Sequence, residues 1–544
     1  MTTRQGLEGA RAVIADGRTY LGIEFGSTRI KAVLIDEQRR VLATGGHGWE
    51  NSFRDGLWTY DLEDVREGMQ EAYRDLAGQV RSNYGLTLHK VKSLGISGMM
   101  HGFLPFDKDG KQLATFRTWR NSNTGDAVKV LSPLFNCNIP QRWSIAQLYQ
   151  SILDGADYVP EIDFLTTLAG YVHWQLSGER VLGIGDAVGM FPMSAENCDY
   201  DQKMIDSFEA LPKVRAQGIS LRRILPRVLL AGQSAGELTA TGAALLDPTG
   251  QLRPGIPMCP PEGDAATGMV ATNSVTRSRG TVSAGTSVFA IIVLDRPLTS
   301  LHPEIDPVMT PDGKPVAMVH CSNGTSELDA WVRIFGEFAN LCDLQLDKNE
   351  IYDILYRSAL TGTPDGGGLM AFNYLAGEHI SEVAAGRPMY MRRPDSEFTL
   401  ANFMLVQLYS VFATLRIGLD VLRGEGVHID ELLAHGGMFK TPIVAQKIMA
   451  AALQTPVTVR ASAGEGGAWG IALLAQFMSQ KQTGCGKDTK ADQDLEQFLN
   501  TQVFSDDSAL PSETPNPELQ AGFEEFYQQY RKVLSLQRQA GDLF

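Results

Sequence analysis

Three glycine-rich segments lie far apart in this chain, and their spacing constrains its fold more than any other feature. The segments are Gly22–Lys31, Ser283–Ser287 and Ala434–Met438. Asp264 lies between the first two, in Gly263–Gly268. One such loop is a common turn, but three of them in the two halves of a 544-residue chain indicate a nucleotide held in a cleft between two lobes.

The composition is that of an ordinary globular protein, with 43% hydrophobic and 20% charged residues. The net charge is −15, from 48 basic and 63 acidic residues, which disfavours nucleic acid and anionic membranes as partners. The 6 cysteines form no C-x-x-C pair, so we expect reduced thiols in a cytoplasmic protein. The N-terminus lacks an apolar signal core, and the longest apolar run, 288–294, is predicted to be a buried strand rather than a membrane span.

The first half begins with a short lead-in over residues 1–19, followed by a predicted three-stranded meander. Its strands are Tyr20–Phe25, Ile30–Asp36 and Arg40–Ala43. Two predicted helical stretches follow, over 61–84 and 144–176, because apolar residues recur there at helical spacing. Later in the chain, a helix is predicted to begin just after Asp264.

The second half repeats this order, with hairpin strands predicted over 280–294 and a glycine turn at Gly285–Ser287. Long helices are predicted over 326–341, 349–359 and 398–424. These patterns predict an α/β protein with three parts: a first lobe over 1–275, a second lobe over 276–480 and a C-terminal part over 481–544. In the last part, 481–516 is predicted to be an exposed polar insertion, and 517–538 a helix packed on the lobes.

Four further segments complete a pattern that spans Tyr20 to Ala475. They are Met100-His101-Gly102 with Trp119, then 171–179, 374–378 and 464–470. In this order, together with the glycine loops, they resemble the FGGY family of carbohydrate kinases, in the actin-like ATPase superfamily. The xylulokinase and ribulokinase branches are the most similar in style.

The resemblance implies two actin-like (ribonuclease H-like) lobes with an ATP cleft between them, ATP and Mg²⁺ as cofactors, and a ketose substrate, most similar to xylulose. It assigns the sugar and phosphate to the first lobe and the nucleotide to the second. It assigns ATP binding to Gly26, Ser27, Thr28, Lys31, Gly285, Thr286, Ser287, Gly436, Gly437 and Lys440. It assigns sugar binding to Met99, Met100, His101, Trp119, Asn121 and Asp264, and Mg²⁺ to Glu24 and Asp264.

Asp264 is the expected general base, which would accept a proton from the attacking sugar hydroxyl. A helix N-terminus favours its ionised form, although aspartate is also a common helix cap without any catalytic role. Glu24 follows a strand, where an acid can hold Mg²⁺ through water. For both residues the alternative is a purely local structural role, and the family resemblance favours the functional one.

Three positions depart from the family pattern. Glu24 replaces the usual aspartate, Met99 a glutamine and Asn121 an aspartate. The last two changes remove polar or charged capacity from the sugar site, which argues against plain D-xylulose as the best substrate. Three alternatives therefore stay open: a kinase of another polyol or ribulose-type ketose, a catalytically weak binding homologue, and an actin- or chaperone-like ATPase. A homodimer is the assembly that the resemblance implies.

Overall fold

The structure, a computed structural model, describes residues 4–459, 466–483, 493–505 and 512–543. Its contacts divide the chain into two compact units. Unit 1 comprises Met1–Val275, Pro307–Pro315 and Ala463–Asp506, and unit 2 comprises Thr276–Asp306, Val316–Ser462 and Asp507–Phe544. The sequence-based division also separates the units after residue 275, but it assigned 463–480 to the second lobe, whereas the contacts group this segment with unit 1.

The strands of both units are short. They are β1 (Thr19–Phe25), β2 (Arg29–Asp36), β3 (Val41–Gly48), β4 (Ser52–Arg54), β5 (Leu57–Thr59), β6 (Ser93–Gly98), β7 (Leu104–Phe106), β8 (Phe164–Thr166), β9 (Val181–Gly183), β10 (Met193–Ser194), β11 (Asp199–Tyr200), β12 (Arg227–Leu229), β13 (Glu262–Gly263), β14 (Arg279–Ala284), β15 (Val288–Val293), β16 (Ile305–Met309), β17 (Pro315–Cys321), β18 (Leu369–Phe372), β19 (Met389–Arg392), β20 (Glu431–His435) and β21 (Val457–Val459).

The helices range from a single turn to 27 residues. They are α1 (Arg4–Asp16), α2 (Leu62–Tyr84), α3 (Gly125–Phe135), α4 (Ser144–Leu153), α5 (Leu168–Ser177), α6 (Ile184–Ala187), α7 (Gln202–Glu209), α8 (Pro212–Gln217), α9 (Leu221–Ile224), α10 (Ala240–Leu246), α11 (Asp264–Ala271), α12 (Ser326–Leu341), α13 (Lys348–Ala359), α14 (Leu400–Gly424), α15 (Val444–Leu453), α16 (Gly466–Thr483), α17 (Leu495–Phe498) and α18 (Pro517–Leu543).

The central sheet of unit 1 has the strand order β13-β6-β1-β2-β3. β1 pairs antiparallel with β2 and parallel with β6, so the first hairpin turn and the ends of the parallel strands lie at one edge of the sheet. α16 packs closely on β1, because a Cβ atom added at Gly22 would lie 2.0 Å from the carbonyl oxygen of Ala468. The first glycine of the first motif therefore serves helix packing.

The central sheet of unit 2 includes the strand order β17-β15-β14-β20-β21. β14 pairs antiparallel with β15 and parallel with β20, which repeats the arrangement around β1. α14 fills the core beside this sheet. The helix is apolar enough to span a bilayer by length and composition, with mean hydropathy 1.4, but 83% of that stretch is buried inside the protein. The sequence pattern predicted a helix over 398–424 but did not reveal it as long and apolar enough to span a bilayer.

Several sequence-based element predictions were wrong in extent. The third strand reaches Gly48, because Gly45 lets α2 approach the sheet: a Cβ there would lie 2.1 Å from Ala72 O. The stretch 144–176 is mostly helical as predicted, with α4 and nearly all of α5, but it also contains β8, and the lead-in contains α1. Within 481–516, the described residues Leu495, Phe498 and Leu499 are fully buried, so this part is not simply an exposed insertion.

Candidate active site

Asp264 is the first residue of α11 and lies at the carboxyl end of the unit 1 sheet, directly after β13. The backbone N–H of Met100 donates to its Oδ1 at 3.1 Å. The carboxylate is half-buried, and burial raises its pKa while the surrounding backbone amides lower it. The helix N-terminus and the Met100 amide thus orient a carboxylate that solvent and ligands can still reach.

Glu24 lies near the end of β1, beside Asp264. Its Oε2 accepts a 3.3 Å hydrogen bond from the N–H of Ala468, in the first turn of α16. Burial, and next the charge of Asp264, raise the pKa of Glu24 to about 7, whereas Lys31, its cross-strand partner, and the α16 amides lower it. A Cβ at Gly467 would lie 2.4 Å from Glu24 Oε1, so a larger residue there would displace the Glu24 carboxylate. The glutamate side chain, one methylene longer than aspartate, spans from β1 to α16.

The first hairpin turn is held by aromatic donors. Trp49 Nε1 donates to Gly26 O at 2.7 Å, and the Tyr60 hydroxyl donates to Ser27 O at 2.6 Å. In a trans peptide the N–H of the next residue points opposite to the carbonyl, so these bonds turn the amides of Ser27 and Thr28 away from the aromatic side. The turn thus presents two N–H groups in the manner of an anion-binding loop.

The segment after β6 places its three predicted sugar-binding residues differently. The Met99 side chain belongs to the hydrophobic core and is 1% exposed, so it does not line a surface. Met100 supplies the amide that orients Asp264. His101 has φ = 69°, an uncommon conformation for a non-glycine residue, and Ser144 Oγ donates to the next carbonyl, Gly102 O, at 2.5 Å.

His101 directly follows Met100, whose amide bonds Asp264, and its imidazole is buried. Burial, and next the positive charge of Arg142, hold the pKa of His101 well below its ordinary value. Its Nδ1 has no hydrogen-bond partner among the described residues. The low pKa keeps the ring uncharged at neutral pH, and its Nδ1 is enclosed beside Gly189, where a Cβ atom would lie 2.7 Å from it.

Trp119 contacts the first hairpin, whereas Asn121 contacts the backbone of β5. The Trp119 indole is 42% exposed, and its Nε1 donates to Ser27 Oγ at 3.2 Å. The Asn121 amide accepts from Trp58 N at 2.9 Å and donates to Trp58 O at 2.8 Å. An aspartate could not make the second bond, so the departure from the family residue has a local structural reason: Asn121 fixes the strand that precedes Tyr60.

In unit 2, the second hairpin turn lies between β14 and β15. Gly285 N donates to Ser287 O at 2.9 Å, and Thr286 is exposed at the tip. Behind the turn, Gly324 N donates to Thr286 O at 2.8 Å and Thr325 N donates to Gly285 O at 2.9 Å. The carbonyls are again bonded on one side, which turns the amides of Thr286 and Ser287 to the other.

The third glycine loop lies beside this hairpin, because β14 and β20 are neighbours in parallel register. Gly436 has φ = 113°, and a Cβ there would lie 2.3 Å from Ala284 O, so no other residue fits. Gly437 and Lys440 are exposed next to it. Unit 2 therefore brings together the two loops assigned to ATP in this half of the chain.

Two buried acids near Asp264 escaped the sequence analysis. Asp186, on α6, accepts from Thr167 Oγ1 at 2.6 Å, and burial raises its pKa to about 7, with Asp264 contributing. Glu262 is packed against Gly183, where a Cβ would lie 2.3 Å from Glu262 Oε1. Neither residue stands in a recognisable pattern, and only tertiary contact reveals them. Of the motif 464–470, Gly464 and Glu465 lie outside the described residues.

The comparisons with known proteins agree with this geometry. Family models for the N- and C-terminal domains of the FGGY family of carbohydrate kinases match residues 19–150 and 280–479. The chain is 21% identical to a xylulose kinase of Haemophilus influenzae, covering 79% of this chain and 85% of that protein. It is 23% identical to a gluconokinase of Bacillus licheniformis, covering 85% and 88%.

Solved structures confirm the predicted fold class. A "xyloylose kinase" from Brucella ovis superposes with a TM-score of 0.76 at 18% identity, covering 95% of this chain and 99% of that one. A gluconate kinase from Lactobacillus acidophilus gives the same TM-score at 15% identity, covering 96% and 99%. The fold is thus the actin-like, two-lobed α/β fold of these kinases. The chain belongs to the FGGY family of carbohydrate kinases, phosphotransferases that use ATP as the phosphate donor.

Proposed function

We propose that this kinase transfers the γ-phosphate of ATP to a hydroxyl of a xylulose-like ketose, with Asp264 as the general base. The observation that carries the proposal is the Asp264 carboxylate, fixed at the α11 N-terminus by the Met100 amide and directly beside the Met100–Gly102 segment. The sugar hydroxyl would give its proton to Asp264 as its oxygen attacks the γ-phosphorus. Such a base contributes about 10²- to 10⁴-fold to the rate.

The other roles follow from the same arrangement. The neutral imidazole of His101 would bond a sugar hydroxyl, and the exposed Trp119 ring would face the C–H side of the sugar. The amides of the first hairpin, at Ser27 and Thr28, would hold phosphate oxygens, with Lys31 near them. In unit 2, the phosphates would meet the hairpin amides, and the adenosine would lie against the glycine loop that precedes Lys440.

Glu24 and Asp264 fit Mg²⁺. Burial, and next the charge of Asp264, raise the pKa of Glu24 to about 7, and a bound divalent cation would compensate both effects. Among the described residues no group of three or more His, Cys, Asp or Glu side chains is arranged to hold a metal. Substrate phosphates and water would therefore complete the coordination, as is usual for Mg²⁺. When bound, Mg²⁺ neutralises the charge that develops on the phosphoryl group.

The acceptor is tested with purified protein, Mg·ATP and a coupled ADP-release assay. The panel contains D- and L-xylulose, L- and D-ribulose, glycerol, gluconate and a control without sugar. Gluconate and glycerol are included because the relatives include gluconokinases and a glycerol kinase. We expect the largest kcat/KM with a xylulose-like ketose. A clear preference for gluconate or glycerol would replace the proposed acceptor while retaining the kinase, and a flat panel would favour the binding-homologue alternative.

The working state of the enzyme is a further part of the proposal. We expect a cytoplasmic homodimer, as the family resemblance implies. Light scattering on the purified protein tests the assembly, and a monomeric mass at micromolar concentration would contradict it.

A further inference from the structure

A short segment of unit 2, Asn323–Thr325, packs against the second hairpin and bonds its backbone. Its two amides donate to both hairpin carbonyls, Gly324 N to Thr286 O at 2.8 Å and Thr325 N to Gly285 O at 2.9 Å. The approach is as close as a backbone allows, because a Cβ at Gly324 would lie 2.2 Å from Gly285 O. The position of this segment therefore decides the orientation of the hairpin peptides.

Glu378 holds this segment from behind. Its side chain is fully buried, and its Oε2 accepts from Asn323 N at 3.1 Å and from Asn323 Nδ2 at 2.9 Å. Burial of a carboxylate costs hydration free energy, which hydrogen bonds to the carboxylate offset. The hydrogen bonds from Asn323 offset part of that cost, and burial still leaves the pKa of Glu378 above its ordinary value. Glu378 thus fixes both the backbone and the side chain of Asn323.

Four further hydrogen bonds hold Asn323 and Gly324 in place. Its Oδ1 accepts from the amides of Leu375 and Ala376 at 2.8 and 2.9 Å, on the segment that leads to Glu378. The Asn373 side chain donates to the carbonyls of Asn323 and Gly324 at 3.0 and 2.9 Å. The segment is therefore tied on both sides by buried polar groups, and only its outward amides remain for the hairpin.

We propose that Glu378 is a positioning residue for the phosphate donor: through Asn323 it holds the Gly324 and Thr325 amides against the hairpin carbonyls, and so keeps the N–H groups of Thr286 and Ser287 turned toward the phosphates of ATP. The inference rests on the proposed ATP-binding role of the hairpin. Glu378 does not touch the hairpin itself. It acts through one buried asparagine and two backbone hydrogen bonds.

The test compares Glu378→Ala with Glu378→Gln in the full-length enzyme. The alanine variant leaves the Asn323 backbone N–H without an acceptor, and the Asn323 side-chain amide keeps only the carbonyl of Ala376. We therefore expect the Kd for Mg·ADP and the KM for ATP to rise about tenfold. The KM for the sugar should stay within about twofold, because the sugar-binding segment lies in unit 1. Glutamine keeps an acceptor oxygen of the same shape, and we expect it to restore nucleotide affinity.

Two more variants separate positioning from general stability. Glu425→Ala removes another well-bonded acid of unit 2, which accepts from Thr299, Ser300 and His302, away from the hairpin. It should lower Tm without changing the Kd for Mg·ADP. Gly324→Ala pushes on the Gly285 carbonyl directly and should weaken Mg·ADP binding even if Glu378→Ala fails to fold.

Thr286→Pro, which removes one hairpin amide, distinguishes the two proposals. If it weakens Mg·ADP binding while Glu378→Ala and Gly324→Ala do not, the positioning role is overturned and the proposed function stands. If it leaves Mg·ADP binding unchanged, the hairpin does not hold the nucleotide, and both the positioning role and that part of the proposed function are wrong. Equal losses of ATP and sugar affinity in Glu378→Ala would also overturn the positioning role.

Discussion

The two hairpins that we propose to hold phosphate have the same backbone arrangement but are supported by different groups. In unit 1 the carbonyls of Gly26 and Ser27 are bonded by side chains, the indole of Trp49 and the hydroxyl of Tyr60. In unit 2 the carbonyls of the hairpin are bonded by backbone amides of the segment Asn323–Thr325. In both, a bonded carbonyl turns the next N–H outward. The outward amides are thus the common feature of the two hairpins, and the supporting groups differ between the units.

The difference extends to the acids. Unit 1 places Glu24 and Asp264 beside its hairpin, with Asp186 buried nearby, whereas the acid behind the unit 2 hairpin, Glu378, is sealed in the core. A reachable carboxylate can exchange protons or hold a cation, and a sealed one can only fix a structure. This difference supports the proposal that the acids of unit 1 take part in the reaction, while Glu378 serves only to fix the hairpin of unit 2.

The largest expected effect tests this assignment of the chemistry. Asp264→Asn keeps the size of the side chain but removes the base, so kcat should fall about 10²- to 10⁴-fold while Mg·ADP binding, measured by calorimetry, changes little. Asp247→Asn is the matched control, since Asp247 is a buried unit 1 acid that accepts from Thr249, Gln251 and Leu252. It should lower Tm and leave kcat near the wild-type value. Near-normal turnover in Asp264→Asn would contradict the proposed difference between the acids of the two units.

The second prediction compares one glycine of each central hairpin strand. A Cβ at Gly22 would lie 2.0 Å from a backbone carbonyl, whereas one at Gly280 would first meet the Ile292 Cδ1 atom, at 2.2 Å, at the end of a flexible side chain. Gly22→Ala should therefore cost about 3 kcal/mol of unfolding free energy and Gly280→Ala about 1 kcal/mol. Urea denaturation measures both. Equal costs would mean that α16 does not press on β1 as described.

The third prediction concerns pH. The folded-state pKa of Glu24, about 7, lies above its ordinary value of 4.5, so the folded state holds the proton more tightly. Stability contributed by protonated Glu24 is complete at low pH and is lost as pH rises toward 7, with a slope of up to about 1.4 kcal/mol per pH unit. Glu24→Gln should flatten the metal-free Tm curve in this window, apart from the similar contribution of Asp186. Parallel curves for both proteins would contradict the burial of Glu24.

The smallest predicted effect tests the aromatic support of the first hairpin. Tyr60→Phe removes the donor to Ser27 O, so the KM for ATP should rise about fivefold, equivalent to about 1 kcal/mol. Tyr73→Phe is the control, because the buried Tyr73 hydroxyl has no hydrogen-bond partner among the described residues. It should leave the KM for ATP unchanged. The same KM for ATP in both variants would show that the Tyr60 hydroxyl does not affect ATP binding by the hairpin.

Local patterns predicted much of the fold. The first strand and the helix over 61–84 occur where the sequence pattern places them. The helix predicted to begin just after Asp264 includes Asp264 as its first residue, and Gly263 rather than Asp264 is the N-cap. Errors arose where tertiary packing overrides propensity. β3 runs through Gly45 because α2 needs the space, and Leu495 and Phe498 are buried although the surrounding sequence is polar.

The sequence named candidate site residues, but it did not predict the hydrogen bonds that hold them. Asp264 and the glycine loops stand in recognisable segments, and their predicted roles as base and phosphate contacts stay predictions. The partner of Asp264 is the amide of Met100, 164 residues earlier in the chain, and that of Glu24 is the amide of Ala468, 444 residues later. Because almost any residue type can supply a backbone amide, such contacts cannot be recognised in the sequence. Met99 and Asn121 illustrate the converse, since their departures from the family pattern serve packing and backbone support.

The central claim is that phosphate passes from ATP to a sugar rather than to water. Phosphorus NMR of the wild-type enzyme with Mg·ATP and its preferred acceptor tests this claim most directly. We predict a phosphomonoester signal that grows in equal amount with ADP, depends on the sugar and is nearly absent with Asp264→Asn. Inorganic phosphate as the main product, formed at the same rate without sugar, would contradict the account and favour an ATPase on the same fold.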